Sequence, residues 1–230
     1  MADDPVIGFG KRVTKRARLP ASVIIAFPFT IVIEQYFVFL TRNGLSFLDA
    51  FSQIKNDLGA VAFIYPAVPV IVFAFFREFE LHTILDKVFN ARHRVGLRIA
   101  ELMADLAKQN GYQHADRIRG DVRRAVYWFY QYANKQDVLR RYAFEVWEGY
   151  YASLYLAAAS LVAAIICLFF LIVVRWQVVI GFTLVPVILL LLFLAKLYWS
   201  TLPKILAIPE QQVAEFSTAT VRAEAVSRFG

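Results

Sequence analysis

Apolar residues in this chain gather into long runs separated by polar stretches. Ala21 to Leu40 is a twenty-residue run rich in Phe and Ile. At 1.5 Å per residue it reaches across a hydrocarbon layer of ~30 Å. A second run covers 59–76, at the short end of what can cross. A third covers 151–174 and a fourth 178–198. Only Arg175, Trp176 and Gln177 part the last two, so they predict a tight hairpin. Between the pairs lies a polar block from Arg77 to Glu148 whose apolar residues recur at helical spacing. Leu85, Val88, Val95, Ile99, Leu102 and Leu106 predict one long helix with a narrow, coiled-coil-like seam, ending at Asn110-Gly111. Ile118, Val122, Ala125, Val126 and Phe129 predict a second helix over 115–133. A third starts near Asn134 or Asp137 and runs without a break into the third apolar run.

The pattern predicts an all-α membrane protein. Four transmembrane helices form two hairpins, joined by a cytoplasmic amphipathic helical domain. Its expected parts are a basic cytoplasmic N-terminus over 1–20, a first hairpin over 21–76, the helical domain over 77–150, a second hairpin over 151–199 and a cytoplasmic tail over 200–230. Within the first hairpin, 45–58 predicts an amphipathic helix on the outer surface. Ser46 and Asp49 supply its capping-box start. The tail carries Pro203 and Pro209 and turns polar, which predicts a mobile segment with at most one short helix.

Charge orients this layout. The chain has 25 Lys+Arg against 18 Asp+Glu, a net +7. Five of the bases lie before residue 20, thirteen lie in the polar block, and the outer loops hold Arg42, Lys55 and Arg175. Basic residues collect on the cytoplasmic side, so both termini and the polar block are expected inside, in a multi-pass protein of the cell inner membrane. The basic start before an apolar run could be a secretory signal, but no A-x-A site follows and a retained anchor is expected. At 59% hydrophobic, the chain exceeds a soluble domain's usual ~45–50%.

Candidate chemistry is sparse. Glu34 lies inside the first run, where a carboxylate costs about 2.5–3.5 kcal/mol at a helix centre. It is a candidate pore-lining or proton-sensing group, set against a plain interfacial Glu. Pro28, Pro66, Pro69 and Pro186 are candidate kinks in the spans. Ser153, Ala157, Ser160 and Ala164 form a small-residue seam that predicts close helix packing, within the chain or in a homo-oligomer. Arg117, Arg119, Arg123, Arg124, Arg140 and Arg141 interleave with Tyr127, Trp128, Tyr130 and Tyr132. That mixture suits a membrane surface or intramolecular pairing, and also a protein or nucleic-acid trigger. Ten acidic residues among the bases weaken the phosphate-groove reading.

Glu78, His82 and Asp86 stand at i, i+4 and i+8, too far apart along a helix to share one metal ion. Arg77 and His82 form an R-x4-H string of the kind some helical ribonucleases use, a string that chance supplies in so arginine-rich a chain. The lone Cys167 allows no internal disulfide. No catalytic, cofactor or metal site is expected, and the chain is read as a non-enzyme. In architecture the layout resembles the small membrane effectors of prokaryotic defence and toxin systems. That resemblance implies an effector that perturbs the bilayer, with the helical domain as its gate. A non-conducting scaffold or immunity-type protein that binds another membrane protein is the alternative.

Overall fold

A computed structural model describes residues 5–50, 52–53, 56, 74, 86–133, 137–174, 177–214, 216 and 220–230. Helix α1 spans Pro5–Arg42, and α2 spans Ala91–Gln109. Helix α3 covers Ala115–Gly120, α4 covers Val122–Ala133 and α5 covers Asp137–Val174. Helix α6, Gln177–Lys196, passes into a π-turn over Leu197–Thr201. Helices α7, Leu202–Ala214, and α8, Val221–Phe229, complete the chain. The described residues are all helix and connecting turn. The expected second span, with Pro66 and Pro69, lies outside them apart from Ala74. So do the Arg77–His82 string and the Arg175-Trp176 turn.

Three helices are long and apolar enough to cross a membrane: Lys15–Arg42, Arg140–Leu168 and Thr183–Ala214, of 28, 29 and 32 residues. At 1.5 Å per residue each exceeds the ~30 Å hydrocarbon layer. The chain divides into two compact units. One is Met1–Thr83 with Tyr151–Lys196, and the other is Ile84–Tyr150 with Leu197–Gly230.

The first unit has the surface of a protein solvated by lipid. Within this unit, Leu161, Ile165 and Leu168 of α5 are exposed, while Ala157, Ala158, Ala163 and Ala164 are buried. On α6, Leu184, Ile188, Leu191 and Leu192 are exposed. In water this distribution would forfeit the burial that drives folding. Helix α1 packs on α6. Its buried face runs Val13, Ala17, Ala21, Ile25, Pro28 and Ile31, at spacings of four and then three. The face starts inside the basic segment, so the boundary expected at residue 20 is not a break. One helix carries the positive charges and the apolar run together. Pro20 and Pro28 both lie within it. Two residues after each, a hydroxyl bonds back one turn: Ser22 Oγ donates to the Arg18 carbonyl at 2.8 Å and Thr30 Oγ1 to the Ala26 carbonyl at 3.1 Å. Such back-bonding bends a helix and hides a hydroxyl from lipid. After α1, a new helix begins at Phe47. Asp49 N–H donates to Ser46 Oγ at 3.2 Å, and the Ser46 hydroxyl donates to Asp49 Oδ2.

The second unit is built around α2, which packs against α3, α4, α7 and α8. Contact on so many sides explains a departure from the expected narrow seam. The buried face of α2 includes Val95, Ile99, Met103 and Leu106 together with Ala91, Ala100, Ala104 and Ala107. Alanine and Gly96 let the neighbours close in; a Cβ on Gly96 would stand 3.3 Å from Val122 Cγ1. Val88, expected in the stripe, is exposed. The expected helix from Leu85 is interrupted at Asn90, which turns left-handed at φ 52°. Asn tolerates that region better than most residues. The expected C-terminus at Asn110-Gly111 is observed. Gly111 takes φ 83°, and Tyr112 N–H closes the end on the Ala107 carbonyl at 3.0 Å.

The expected single helix over 115–133 is two helices. Gly120 gives little helical support, and Asp121 starts α4 by accepting the Arg124 N–H on Oδ1 at 3.0 Å. The larger correction concerns the tail. Helices α7 and α8 are not a mobile tail but part of this unit's core. Leu202, Ile205, Ile208 and Gln212 bury one face of α7, and Val221, Ala225 and Phe229 bury one face of α8. Prolines concealed this. Pro203 falls in the first turn of α7, where its missing N–H costs least, and the preceding π-turn widens the backbone at the carbonyls its ring would meet.

Candidate functional site

Two features of the second unit stand out, a set of bonds around its C-terminal helix and a cavity. The first holds the C-terminal helix. Carbonyls at a helix end lack intrahelical donors and carry partial negative charge. At the end of α8 the Phe229 carbonyl accepts from Tyr112 Oη at 3.0 Å and from Arg117 Nη1 at 3.2 Å. The Arg228 carbonyl accepts from Arg124 Nη1 at 2.8 Å. The Arg124 guanidinium also lies over the Phe229 ring, 5.8 Å from its centre. Toward the other end of α8, the Trp128 indole N–H donates to Glu224 Oε2 at 2.8 Å. Arg228 bridges Glu224 at 3.6 Å and donates to Gln131 Oε1 at 2.6 Å. Rings complete the seat: Phe229 packs on Trp128 at 5.9 Å, and Phe216 packs on Phe129 and Tyr132 at 5.6 and 5.1 Å. Burial, and then the Glu224 carboxylate, push the Tyr132 phenol up from its ordinary value.

Arg117, Arg119 and Arg124 of the expected anionic-partner patch are therefore engaged within the chain. Arg117 and Arg124 hold α8. Arg119 pairs with Asp105 at 2.7 Å and Asp116 at 3.3 Å. Arg123 and Arg141 are exposed, and Arg140 is half-buried at the wall of a cavity.

That cavity is the second feature. It has a volume of about 90 Å³. Val95 and Ile99 of α2, Phe129, Tyr130 and Ala133 of α4, and Ala143, Phe144 and Trp147 of α5 form most of its wall. Ile205, Ile208 and Pro209 of α7 close it. Among its lining residues, Arg140, Gln212 and Tyr130 carry polar groups. Gln212 is 5% exposed and stands at the cavity wall.

A buried polar cluster lies elsewhere in the unit. Tyr150 Oη donates to Asp86 Oδ1 at 2.7 Å, and Arg92 Nε stands 3.4 Å from Asp86 Oδ2. His93 and His114 are exposed, and no group of metal-ligating residues gathers among the described residues. In the first unit, Glu34 lies on an exposed face of α1, while Pro28 and Pro186 are buried. Ser153, Ala157, Ser160 and Ala164 are all buried within the single chain. Ser160 Oγ donates to the Leu156 carbonyl at 2.8 Å.

The α7 wall and the α8 latch were missed in the sequence. A signal existed in the spacing of Leu202, Ile205, Ile208 and Gln212, and of Val221, Ala225 and Phe229. The two prolines outweighed it. No protein family, curated protein or solved structure matches this chain.

Proposed function

We propose that this protein is a membrane-perturbing or pore-forming effector of toxin or antiviral-defence type, held in check by its helical unit. It sits in the inner membrane with both termini and the helical unit in the cytoplasm, and the run at 59–76 supplies a fourth span. The observation that carries this reading is a continuity of helix. Two of the membrane-length helices, Arg140–Leu168 and Thr183–Ala214, contain the points where the chain passes between units, at Tyr150–Tyr151 and Lys196–Leu197. At the second of these points lies the π-turn over Leu197–Thr201. Single π-turns inside α-helices occur frequently at functional sites. A change in the helical unit has a covalent, helical route to the apolar one. The bilayer is the partner, and a protein or nucleic acid contacting exposed Arg123 and Arg141 is the proposed trigger.

One observation favours the alternative, a non-conducting scaffold. The small-residue seam is buried inside the chain, which leaves it no free face for a homo-oligomeric pore.

Membrane potential and growth after induced expression in bacteria separate the two. The effector reading expects rapid depolarisation and arrest, with loss of both in Glu34→Gln and Glu34→Ala. Depolarisation that both variants preserve would remove Glu34 from the pore. A chain held off by its own helical unit should be released by Phe229→Ala, which loosens α8. Unchanged potential with both wild type and Phe229→Ala at high expression would sink the pore reading and leave the scaffold.

A further inference from the structure

We infer that the groove between α2 and α7 seats the headgroup of a zwitterionic aminophospholipid, its phosphate at Arg94 and its ammonium toward Glu101 and Glu210. The seat rests on spans that cross the bilayer, as the proposed function has them, but needs no pore. Three observations carry it. The first is where the groove begins. Helix α6 has 20 residues, and at 1.5 Å each they reach across the ~30 Å hydrocarbon layer. Tyr198 and Trp199 follow at once, 62% and 77% exposed, and such rings collect at headgroup depth. Trp199 comes one turn before Pro203, which lines the groove. A chain that enters the bilayer after Tyr150 and leaves it at Lys196 has both points on one face, and α2 starts beside the first of them. Tyr150 Oη donates to Asp86 at 2.7 Å, and Asp86 also meets Arg92 in the first turn of α2, at 3.4 Å. The first turns of α2 and α7 therefore stand nearest the lipid.

The second observation is the order of charge along the groove. From the lipid end, its α2 wall carries Arg94, Leu97, Arg98 and Glu101, and its α7 wall carries Pro203, Leu206 and Glu210. Arg98 pairs with Glu101 at 3.0 Å and with Glu210 as well. Two carboxylates on one guanidinium leave a negative charge over, at the end away from the lipid. Arg94 is exposed at the near end. A phospholipid carries its phosphate next to the glycerol, and in an aminophospholipid the ammonium lies beyond it. The two orders of charge are complementary. A guanidinium suits phosphate, and the carboxylates offer acceptors to a primary ammonium. The third observation is size. The groove has a volume of about 520 Å³, within the ~300–1,000 Å³ of small-molecule sites. Leu97, 41% exposed, and Pro203 and Leu206 give the glycerol end an apolar surface. All these residues belong to the second unit, so the seat is complete within it.

The test uses the full chain in phosphatidylcholine nanodiscs with a small fraction of lipid that carries a nitroxide high on one acyl chain. The nitroxide quenches a tryptophan it meets, and the difference between wild type and Trp199→Phe isolates Trp199. Labelled phosphatidylethanolamine should quench Trp199 at a lower mole fraction than labelled phosphatidylglycerol, and that lipid at a lower one than labelled diacylglycerol. Each step should be about two- to fivefold, as exposed charge pairs contribute. Arg94→Gln should remove the advantage of phosphatidylglycerol over diacylglycerol. Glu101→Gln keeps Arg98 paired with Glu210, removes the surplus charge and should remove the advantage of phosphatidylethanolamine over phosphatidylglycerol. Hydrogen exchange over Ala91–Gln109 checks that both variants stay folded. Equal quenching by all three lipids leaves Trp199 at the bilayer but overturns the seat. So does an order that both variants leave unchanged. Preference for phosphatidylglycerol over phosphatidylethanolamine overturns the choice of a zwitterion. No quenching of Trp199 by any of the lipids refutes its position at the bilayer, and the seat with it.

Discussion

Phe229→Ala should release the C-terminal helix while leaving the rest of the second unit folded. Phe229 is 5% exposed, packs 5.9 Å from Trp128 and lies under the Arg124 guanidinium. Truncating a buried Phe costs about 3–5 kcal/mol, and the lower end applies where the site can collapse, as at a chain terminus. Helix α8 has nine residues, well short of the ~12–15 at which an isolated helix becomes even marginal. Its folding and docking are therefore one event, and the loss falls on both. About 3 kcal/mol raises the population of the undocked state roughly a hundredfold. Amide hydrogen exchange reads this directly. Exchange over Val221–Phe229 should accelerate by about that factor, while the buried turns of Ala91–Gln109 keep their protection. Val226→Ala is the matched control, because Val226 is on the exposed face of the same helix. Its effect should stay within about half a kcal/mol. Equal acceleration in both variants, or none in Phe229→Ala, would refute the claim that the buried face and capped carbonyls hold α8 in place.

Asn90 should be replaceable by Gly but not by Val. Its φ of 52° costs a β-branched residue about 1–2 kcal/mol, so Asn90→Val should lower the midpoint of thermal unfolding and Asn90→Gly should leave it nearly unchanged. Tyr132 should make the helical unit sensitive to alkali. Burial holds its folded value above the unfolded value near 10, so the folded state keeps a proton that the unfolded state loses. That contribution is fully present below about pH 10 and declines as pH rises through the folded value. The difference in stability between wild type and Tyr132→Phe, measured from pH 8 to 11, should shrink over that window.

The pattern of apolar runs was enough to predict an all-helical chain with membrane-length helices, because crossing ~30 Å of hydrocarbon requires about twenty apolar residues in sequence. Local chemistry was legible for the same reason. The capping pair Ser46 and Asp49, the stop at Asn110-Gly111 and the unbroken helix from Asp137 depend on residues within a few positions of one another. Charge counting suggested a patch for an outside anion, but which carbonyl or carboxylate each arginine meets depends on which helix lies beside it. Arg117 and Arg124 cap the end of a helix more than a hundred residues away in sequence, as their bonds to Phe229 and Arg228 show. Tertiary packing also overrode proline. Leu202, Ile205 and Ile208 bury enough surface against α2 to keep α7 helical through Pro209, and the π-turn before Pro203 gives that ring room. The cavity was beyond reach of any local pattern. Its walls come from four helices, and the space exists only once those helices have closed around it. Sequence thus set the solvent of each segment, through hydropathy alone. Only the folded chain decided which polar groups meet, because burial and partnership belong to pairs of residues that the backbone brings together from far apart.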